Sequence, residues 1–248
     1  MIYHSDCLDY LRDLPAGVRY HVIFADPPDN LGLEYGEYKD KVPLDVYYQG
    51  LELLCGYAIS RCNVFWLSYY WRHDFEIKAR LKRILDLRFP AHSAKTFIWR
   101  YTFGQHKESD FGSGFRYILR IGSPIWKPDV TGLRIMSERQ RLGDARANPD
   151  GRVPDDVWDI PFIWDFPRVV GNCKERRPWH PTQHPEALME RIIRSSGAAS
   201  MSKDILDCFL GTGTTLRVAR RLGRECDGCE IDSGYIAKLK EENLLRRP

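Results

Sequence analysis

The sequence has 248 residues, of which 43% are hydrophobic and 29% charged, and its net charge is +3; these values predict a folded protein with one large domain or two small ones. It contains no run of eighteen apolar residues and no signal-peptide pattern, which excludes a predicted membrane span. Seven scattered cysteines favour a reducing compartment over a disulfide framework, so we expect a cytoplasmic protein.

The first half of the chain alternates predicted helices and strands. A short apolar start leads to Asp6, and leucines at helical spacing then predict a helix that a proline ends. An apolar run over 22–25 predicts a buried strand. The polar stretch 30–41, with Tyr35 and Tyr38, is typical of a loop over a site. Further helices are predicted over 44–61 and 74–86, and further strands over 63–68, 95–100 and 115–121.

The strand over 22–25 ends on the sequence Asp26-Pro27-Pro28-Asp29. Open α/β sheets bind their ligands at the carboxyl ends of the strands, which is where Asp26 would lie. The two prolines remove two backbone donors and fix two φ angles, so the loop offers carbonyl oxygens and a carboxylate. Such a set of acceptors suits a ligand that presents an amino group. A rigid turn without a ligand is the alternative interpretation.

The composition changes between residues 123 and 171. Charges, prolines and glycines increase there, and the hydrophobic periodicity fades. Arg139 and Arg141 lie in its most basic part, and aromatic residues are frequent over 162–166. We interpret the segment as an inserted recognition element, and a mobile surface loop is the alternative.

The last third of the chain predicts a nucleoside site. Its predicted helices span 186–195, 216–222 and 234–245, and its predicted strands span 205–209 and 226–231. Between the first of these strands and the next helix, Gly211 and Gly213 let the backbone approach a ligand closely, and the helix N-terminus offers free N–H groups. Glu230, at the end of the second strand, can bind ribose hydroxyls. The third glycine of a dinucleotide fingerprint is missing, and a plain tight turn is the alternative.

No metal site is predicted. Cys226 and Cys229 have ligand spacing, but they fall inside a predicted strand and no second Cys/His pair has ligand spacing. His180 and His184 are four residues apart, but the prolines between and after them break the helix that a metal-binding pair would use.

Three motifs follow one another in a fixed order. They are the Asp-Pro-Pro loop, His-Pro-Thr-Gln-x-Pro at 180–185, and Asp-x-Phe-x-Gly-x-Gly-Thr-Thr at 207–215. This order resembles the β-class amino-group DNA methyltransferases, which modify adenine N6 or cytosine N4. The resemblance covers about residues 2–121 and 156–243.

The resemblance implies an α/β fold with a Rossmann-like mixed sheet, and S-adenosylmethionine as the cofactor. The catalytic half of such a methyltransferase comes first in the chain, and a small recognition segment is inserted before the cofactor-binding half. In this sequence the catalytic half would be 1–122, the target-recognition segment 123–171 and the cofactor-binding half 172–248.

The resemblance also implies roles for the matching residues. It makes Asp26, Pro27 and Pro28 catalytic. It implies that the cofactor is bound by Asp6, Asp26, His180, Thr182, Gln183, Asp207, Phe209, Gly211, Gly213, Thr214 and Glu230. Within that set, Glu230 would hold the ribose, Asp6 would lie beside the adenine, and 180–183 would close over the methionine end. We expect target contacts from Asp29, Tyr35, Tyr38, Arg139 and Arg141.

Three positions depart from the family's pattern. Asp29 stands where an aromatic residue usually stacks on the flipped base, so either Tyr35 or Tyr38 substitutes for that aromatic or the target base is held differently. Cys208 replaces a usual proline, and His184 replaces a usual lysine, which removes a fixed charge near the cofactor segment.

The predicted function is methyl transfer to the exocyclic amine of a flipped base in double-stranded DNA, with adenine N6 as the expected target. The alternatives are cytosine N4, an RNA or protein amide substrate, and an inactive cofactor- or DNA-binding homologue, which Asp29 favours. A dinucleotide oxidoreductase is a weaker alternative, since the third glycine is missing. We expect no membrane partner, a possible homodimer, and a place in the cytoplasm of a bacterial or phage-infected cell.

Overall fold

The computed structural model describes residues 1–105, 108–158, 169 and 173–242. The strands are β1 (Ile2–His4), β2 (Tyr20–Ala25), β3 (Glu34–Tyr35), β4 (Tyr38–Lys39), β5 (Cys62–Tyr69), β6 (Ser93–Gln105), β7 (Ser113–Gly122), β8 (Val157–Trp158), β9 (Lys203–Asp207) and β10 (Cys226–Glu230). The helices are α1 (Cys7–Asp13), α2 (Leu44–Arg61), α3 (Asp74–Arg88), α4 (Glu138–Arg141), α5 (Glu186–Ser195), α6 (Thr214–Arg221) and α7 (Ser233–Glu241).

The main sheet has the strand order β1-β10-β9-β2-β5-β7-β6-β8. The first five of these strands are parallel, so their carboxyl ends meet at one edge of the sheet. Strand β7 runs antiparallel to both β5 and β6, so its amino-terminal end lies at that same edge. The mixed α/β sheet confirms the predicted fold class, and it brings residues from distant parts of the sequence to one edge.

Both faces of the sheet are covered, which explains why its central strands are apolar throughout. All six residues of β2 are buried, and successive side chains point to opposite faces. Ile23 and Ala25 pack with helices α1, α2 and α3 on one face. Val22 and Phe24 pack with helices α5 and α6 on the other face. The result is a three-layer domain with the sheet in the middle.

Two tryptophans of the segment 123–171 belong to the core. Trp126 is buried, and its indole N–H donates to the carbonyl of Ser196 at 2.9 Å. Trp158, in β8, packs against Phe97 with ring centroids 4.7 Å apart. These two contacts tie the segment to the sheet, whereas its exposed part between them carries α4.

Most predicted elements are confirmed, and α2 and α5 have the predicted bounds. Three differences arise from tertiary pairing. The stretch 30–41 was predicted as a loop but contains the β3–β4 hairpin, with Tyr35 opposite Tyr38. Strand β8 was not predicted, since its two residues pair only with β6. The strand predicted over 205–209 ends at Asp207, so Phe209 belongs to the glycine loop. The aromatic stretch 162–166 and the predicted end of the last helix beyond Glu242 lie outside the described residues.

Among the described helices, none is long and apolar enough to cross a membrane.

Candidate active site

A cleft opens at the carboxyl edge of the parallel strands. Most of the residues predicted for the site line it. They are Asp6, Asp26, Pro28, Tyr35, Tyr38, His180, Thr182, Gln183, Asp207, Phe209, Gly211, Thr214 and Glu230. The lining of the cleft does not include Pro27, Asp29, Gly213, Arg139 or Arg141 among the described residues.

The loop after β9 is shaped by the buried carboxylate of Asp207. One oxygen accepts from the backbone N–H of Phe209 at 3.0 Å, and the other accepts from the hydroxyl of Thr215 at 2.5 Å. Gly213 precedes α6 and has a φ of 73°. A residue with a side chain rarely adopts this backbone conformation. Burial raises the pKa of Asp207 to about 7. Asp207 therefore holds the glycine loop against the cleft, a role consistent with its predicted place in the cofactor site.

Glu230 joins the end of β10 to the same loop. Its Oε2 accepts from the backbone N–H of Gly211 at 2.8 Å, and its Oε1 accepts from that of Asp232 at 2.9 Å. Gly211 has a φ of 47°, and a Cβ at this position would lie 2.9 Å from the ring of His180. Burial raises the pKa of Glu230. Each carboxylate oxygen keeps capacity for a further donor, such as a hydroxyl of a ligand.

Two segments meet over the opening of the cleft. The hydroxyls of Tyr35 and Thr182 are 3.4 Å apart, and the ring of His180 packs between those of Tyr35 and Tyr235. Burial lowers the pKa of His180, which favours its neutral form. The side chain of Gln183 is used within its own segment, since it accepts from the backbone N–H of Arg177 at 2.9 Å and donates to a backbone carbonyl. Its predicted contact with the cofactor stays a prediction.

Asp26 lies at the floor of the cleft, where protein donors hold both of its oxygens. The Nη2 of Arg116 donates to Oδ1 at 2.7 Å, and the Nδ1 of His184 is 3.2 Å from Oδ2. Ser68 links these two partners, since its hydroxyl lies 2.6 Å from Nε of Arg116 and 3.1 Å from Nε2 of His184. Burial alone would raise the pKa of Asp26, but Arg116 and His184 together hold this pKa below its usual value. Asp26 is therefore ionised at neutral pH.

Asp29 faces away from the cleft, toward Arg116. Its carboxylate forms an ion pair with Arg116 at 2.5 Å and accepts from the backbone N–H of Tyr70 at 3.1 Å. The side chain is only 12% exposed, so these partners occupy most of its surface. Direct contact of Asp29 with a target base was predicted from the sequence. That contact stays a prediction, and in this structure the carboxylate forms an internal ion pair.

Arg116 and Ser68 were not predicted from the sequence. A signal for Arg116 was present, since it is a charged residue inside the apolar run of β7, where an unpaired charge would be costly. Ser68, in β5, had no comparable signal. For His184, the sequence showed the replacement of a usual lysine and ruled out a metal-binding pair with His180, but its contact with Asp26 was not predicted.

The two arginines predicted to contact the target lie elsewhere. Both Arg139 and Arg141 are exposed on α4, and Arg141 forms an ion pair with Glu138 at 2.8 Å. A Ser137 capping box holds the start of this short helix. Contact with DNA by these side chains stays a prediction.

The charges around the cleft indicate what it can hold. Four carboxylates line it, those of Asp6, Asp26, Asp207 and Glu230, and the described lining contains no lysine or arginine. A dinucleotide with its phosphates would be repelled by this set, whereas a nucleoside that carries a positive charge would be attracted. The cleft therefore fits S-adenosylmethionine, which combines ribose hydroxyls, an adenine amine and a cationic methionine end.

Comparison with known proteins agrees with this geometry. The sequence profile of the DNA methylase family of the N6/N4 type matches residues 20–241. The type II methyltransferase M.ScaI of Streptomyces caespitosus is 28% identical over 250 residues, with 95% of this chain and 78% of that protein covered. The DNA adenine methyltransferase YhdJ of Escherichia coli is 29% identical over 245 residues, with 95% and 79% covered.

Solved structures share the fold. The TTHA0409 protein of Thermus thermophilus, in complex with S-adenosyl-L-methionine, has a TM-score of 0.62 at 20% identity, with 98% of this chain and 92% of that chain covered. The cytosine-N4-specific PvuII DNA methyltransferase has a TM-score of 0.65 at 15% identity, with 99% and 86% covered. The protein thus belongs to the N6/N4 DNA methylase family, and it is an S-adenosylmethionine-dependent DNA methyltransferase that acts on an amino group.

Proposed function

We propose that the enzyme methylates adenine N6 in double-stranded DNA and that Asp26 and the Pro27 carbonyl bind the exocyclic amine. The observation that carries this proposal is the ionised carboxylate of Asp26 at the floor of a cleft that fits the cofactor. The choice of adenine is supported by the similarity to the adenine methyltransferase YhdJ along 95% of the chain.

Different residues of the cleft would bind different parts of the cofactor. S-adenosylmethionine, when bound, supplies an electrophilic methyl group. Glu230 would accept from its ribose hydroxyls, Asp6 would lie beside its adenine, and the loop from Asp207 to Gly213 would hold its methionine end. The segment 180–183 would close over this part of the cleft, where Thr182 already meets the β3–β4 hairpin.

Asp26 prepares the amine for reaction. The lone pair of a base's exocyclic amine is delocalised into the ring, which makes the nitrogen a poor nucleophile. Two acceptors, Asp26 and the carbonyl of Pro27, would bind its two N–H groups and orient the lone pair toward the cofactor side of the cleft. The carboxylate also stabilises positive charge that develops on the nitrogen. Because the pKa of Asp26 is low, we expect it to act by position and charge before it takes up a proton.

The amine of a paired base cannot reach Asp26, so the target base must leave the helix at a cost of a few kcal/mol. We assign duplex binding to the exposed part of the segment 123–171, with Arg139 and Arg141 as phosphate contacts. Its position between the two halves of the domain supports this assignment, as do the exposed cations on α4. The segment is short, so we expect a short or relaxed target sequence.

Mass spectrometry of nucleosides tests the proposal directly. The protein is incubated with duplex DNA and cofactor labelled in the methyl group, and the DNA is then digested to nucleosides. Labelled N6-methyladenine supports the proposal, and labelled N4-methylcytosine in its place overturns the choice of base. Parallel incubations with RNA and with protein test the other substrates. Cofactor binding without any transfer would favour an inactive homologue.

A further inference from the structure

One guanidinium connects both carboxylates of the Asp-Pro-Pro-Asp loop. Arg116 reaches Asp29 through Nη1 at 2.5 Å and through Nη2 at 3.0 Å, and the same Nη2 donates to Asp26 at 2.7 Å. The three side chains are between 12% and 20% exposed, so water screens these charges weakly. Because one guanidinium pairs with two carboxylates, Arg116, Asp26 and Asp29 together carry one net negative charge.

The remaining donors of this site form a closed ring around Asp26. Nε of Arg116 donates to the hydroxyl oxygen of Ser68, so the Ser68 hydroxyl hydrogen is available for Nε2 of His184. A neutral His184 then carries its proton on Nδ1 and donates it to Asp26. Burial lowers the pKa of His184, in agreement with a neutral ring. Protein donors therefore hold both carboxylate oxygens of Asp26.

Asp29 also anchors the neighbouring strand. Besides Arg116, its carboxylate accepts from the N–H of Tyr70 just after β5, and its carbonyl oxygen is 2.9 Å from Nε2 of His73. Without Asp29, the planar fork of Arg116 would be able to turn both of its Nη groups toward Asp26 and occupy both of its oxygens. Asp29 thus limits the number of hydrogen bonds that the guanidinium forms with Asp26.

We propose that Arg116 is a positioning residue for methyl transfer and that Asp29 is its second anchor, so that the carboxylate at the family's aromatic position orients Asp26 instead of contacting the target base. This inference rests on the proposed function of Asp26 as the group that binds the amine. It explains why a carboxylate is compatible with activity at that position.

The groups that surround Asp26 come from every element packed against it. The charged or titratable groups that face it are Arg116, His184, Asp29, Asp207, His180 and Tyr35. Arg116 is the one fixed cation among these described groups. Its replacement by glutamine should therefore raise the pKa of Asp26, whereas Asp29→Asn should lower it, since that change removes a nearby negative charge and leaves Arg116 to Asp26.

The test uses the full chain with Arg116→Lys, Arg116→Gln, Asp29→Asn and Asp29→Tyr. Arg120→Lys is the matched control, since Arg120 lies on the same strand but stacks on aromatic rings. The measurements are kcat and KM for methyl transfer to DNA, the pH dependence of kcat, and the titration of Asp26 by carboxyl ¹³C NMR in the ligand-free protein.

We expect Arg116→Lys and Asp29→Asn to lower kcat about tenfold or more, because a small misplacement of a reacting group is costly. The KM for DNA and the cofactor affinity should change less than about twofold, and Arg120→Lys should behave as the wild type. The pKa of Asp26 should be higher in Arg116→Gln and lower in Asp29→Asn than in the wild type, both by NMR titration and in the acid limb of the pH profile of kcat. A merely structural role would not produce these opposite shifts.

Two results would overturn the inference. One is a kcat in both Arg116→Lys and Asp29→Asn that stays within about twofold of the control. The other is an Asp29→Tyr enzyme with a lower KM for DNA or a higher kcat, which would show that this position serves the target base. If the wild type transfers no methyl group to DNA, the proposed function fails. The NMR titrations of the ligand-free variants still decide whether Arg116 and Asp29 set the pKa of Asp26.

Discussion

Replacement of Asp26 by alanine should abolish most of the turnover without unfolding the protein. In the proposed mechanism Asp26 supplies one charged acceptor to the amine, and a hydrogen bond to a charged group contributes about 1.5 to 3 kcal/mol. Its charge also stabilises a positive nitrogen, by up to about 4 kcal/mol at a distance of about 4 Å in a partly screened site. Arg116 lies 2.7 Å from the same carboxylate and offsets part of that attraction.

We therefore expect a loss of at least about 2.7 kcal/mol in transition-state stabilisation, which is a hundredfold decrease in kcat. The fold should survive, because Arg116 keeps its ion pair with Asp29 and its bond to Ser68. Asp26→Asn is the matched variant, since it retains an acceptor oxygen but loses the charge. An intermediate loss in Asp26→Asn would separate the contribution of charge from that of position.

The assay measures transfer of a labelled methyl group to duplex DNA at saturating cofactor, together with the thermal midpoint and the cofactor affinity by calorimetry. If the reasoning is correct, turnover falls while the midpoint and the affinity change little. Near-normal turnover of Asp26→Ala would show that the Asp-Pro-Pro loop is not the catalytic site. A large drop in the midpoint with normal specific activity of the folded fraction would identify Asp26 as a structural residue.

Three further predictions concern the rest of the molecule. Glu230→Ala should weaken cofactor binding about ten- to a hundredfold, or about 1.5 to 3 kcal/mol, because the proposed charged acceptor for the ribose is lost. Unchanged affinity by calorimetry would place the ribose elsewhere. Burial raises the pKa of Asp207 from 3.8 to about 7, so its stabilising contribution is present at low pH and is lost as the pH rises toward and through 7. The unfolding free energy of the wild type relative to Asp207→Asn should therefore fall between about pH 4 and pH 8, and a constant difference in denaturant titrations would contradict the raised pKa. Charge reversal at Arg139 and Arg141 should weaken DNA binding. It should also reduce the slope of log affinity against log salt concentration by about one for each lost phosphate contact. An unchanged slope with unchanged affinity would show that α4 is not part of the DNA-binding surface.

The acidic residues of the cleft were predictable from their places at or near the ends of strands. Asp6, Asp26, Asp207 and Glu230 come at or just after the ends of four strands, and parallel strands place their carboxyl ends together. The pattern along the sequence is therefore enough to predict that these side chains share one site. The bounds of α2 were also predictable, since a proline precedes the helix and apolar residues recur at helical spacing along its eighteen residues.

The partners of Asp26 were not predictable in the same way. Arg116 reaches Asp26 because β7 pairs antiparallel to β5, with Tyr69 opposite Tyr117. A register of this kind depends on which strands become neighbours, and local propensity does not determine that choice. Strand β8 is a similar case, because its identity as a strand depends on Trp158 packing against Phe97 rather than on its own two residues.

The direction of β7 has a consequence for the charge balance of the site. A parallel strand at this place would deliver its carboxyl end to the cleft, whereas the antiparallel strand delivers residues near its start. Arg116 therefore forms an ion pair with Asp26 but is not among the described residues that line the cleft. The cleft keeps its negative lining, which favours a cationic cofactor, while Asp26 receives the positive partner that holds it ionised. A cation placed inside the cleft would have stabilised Asp26 equally well, but it would also have repelled the cofactor.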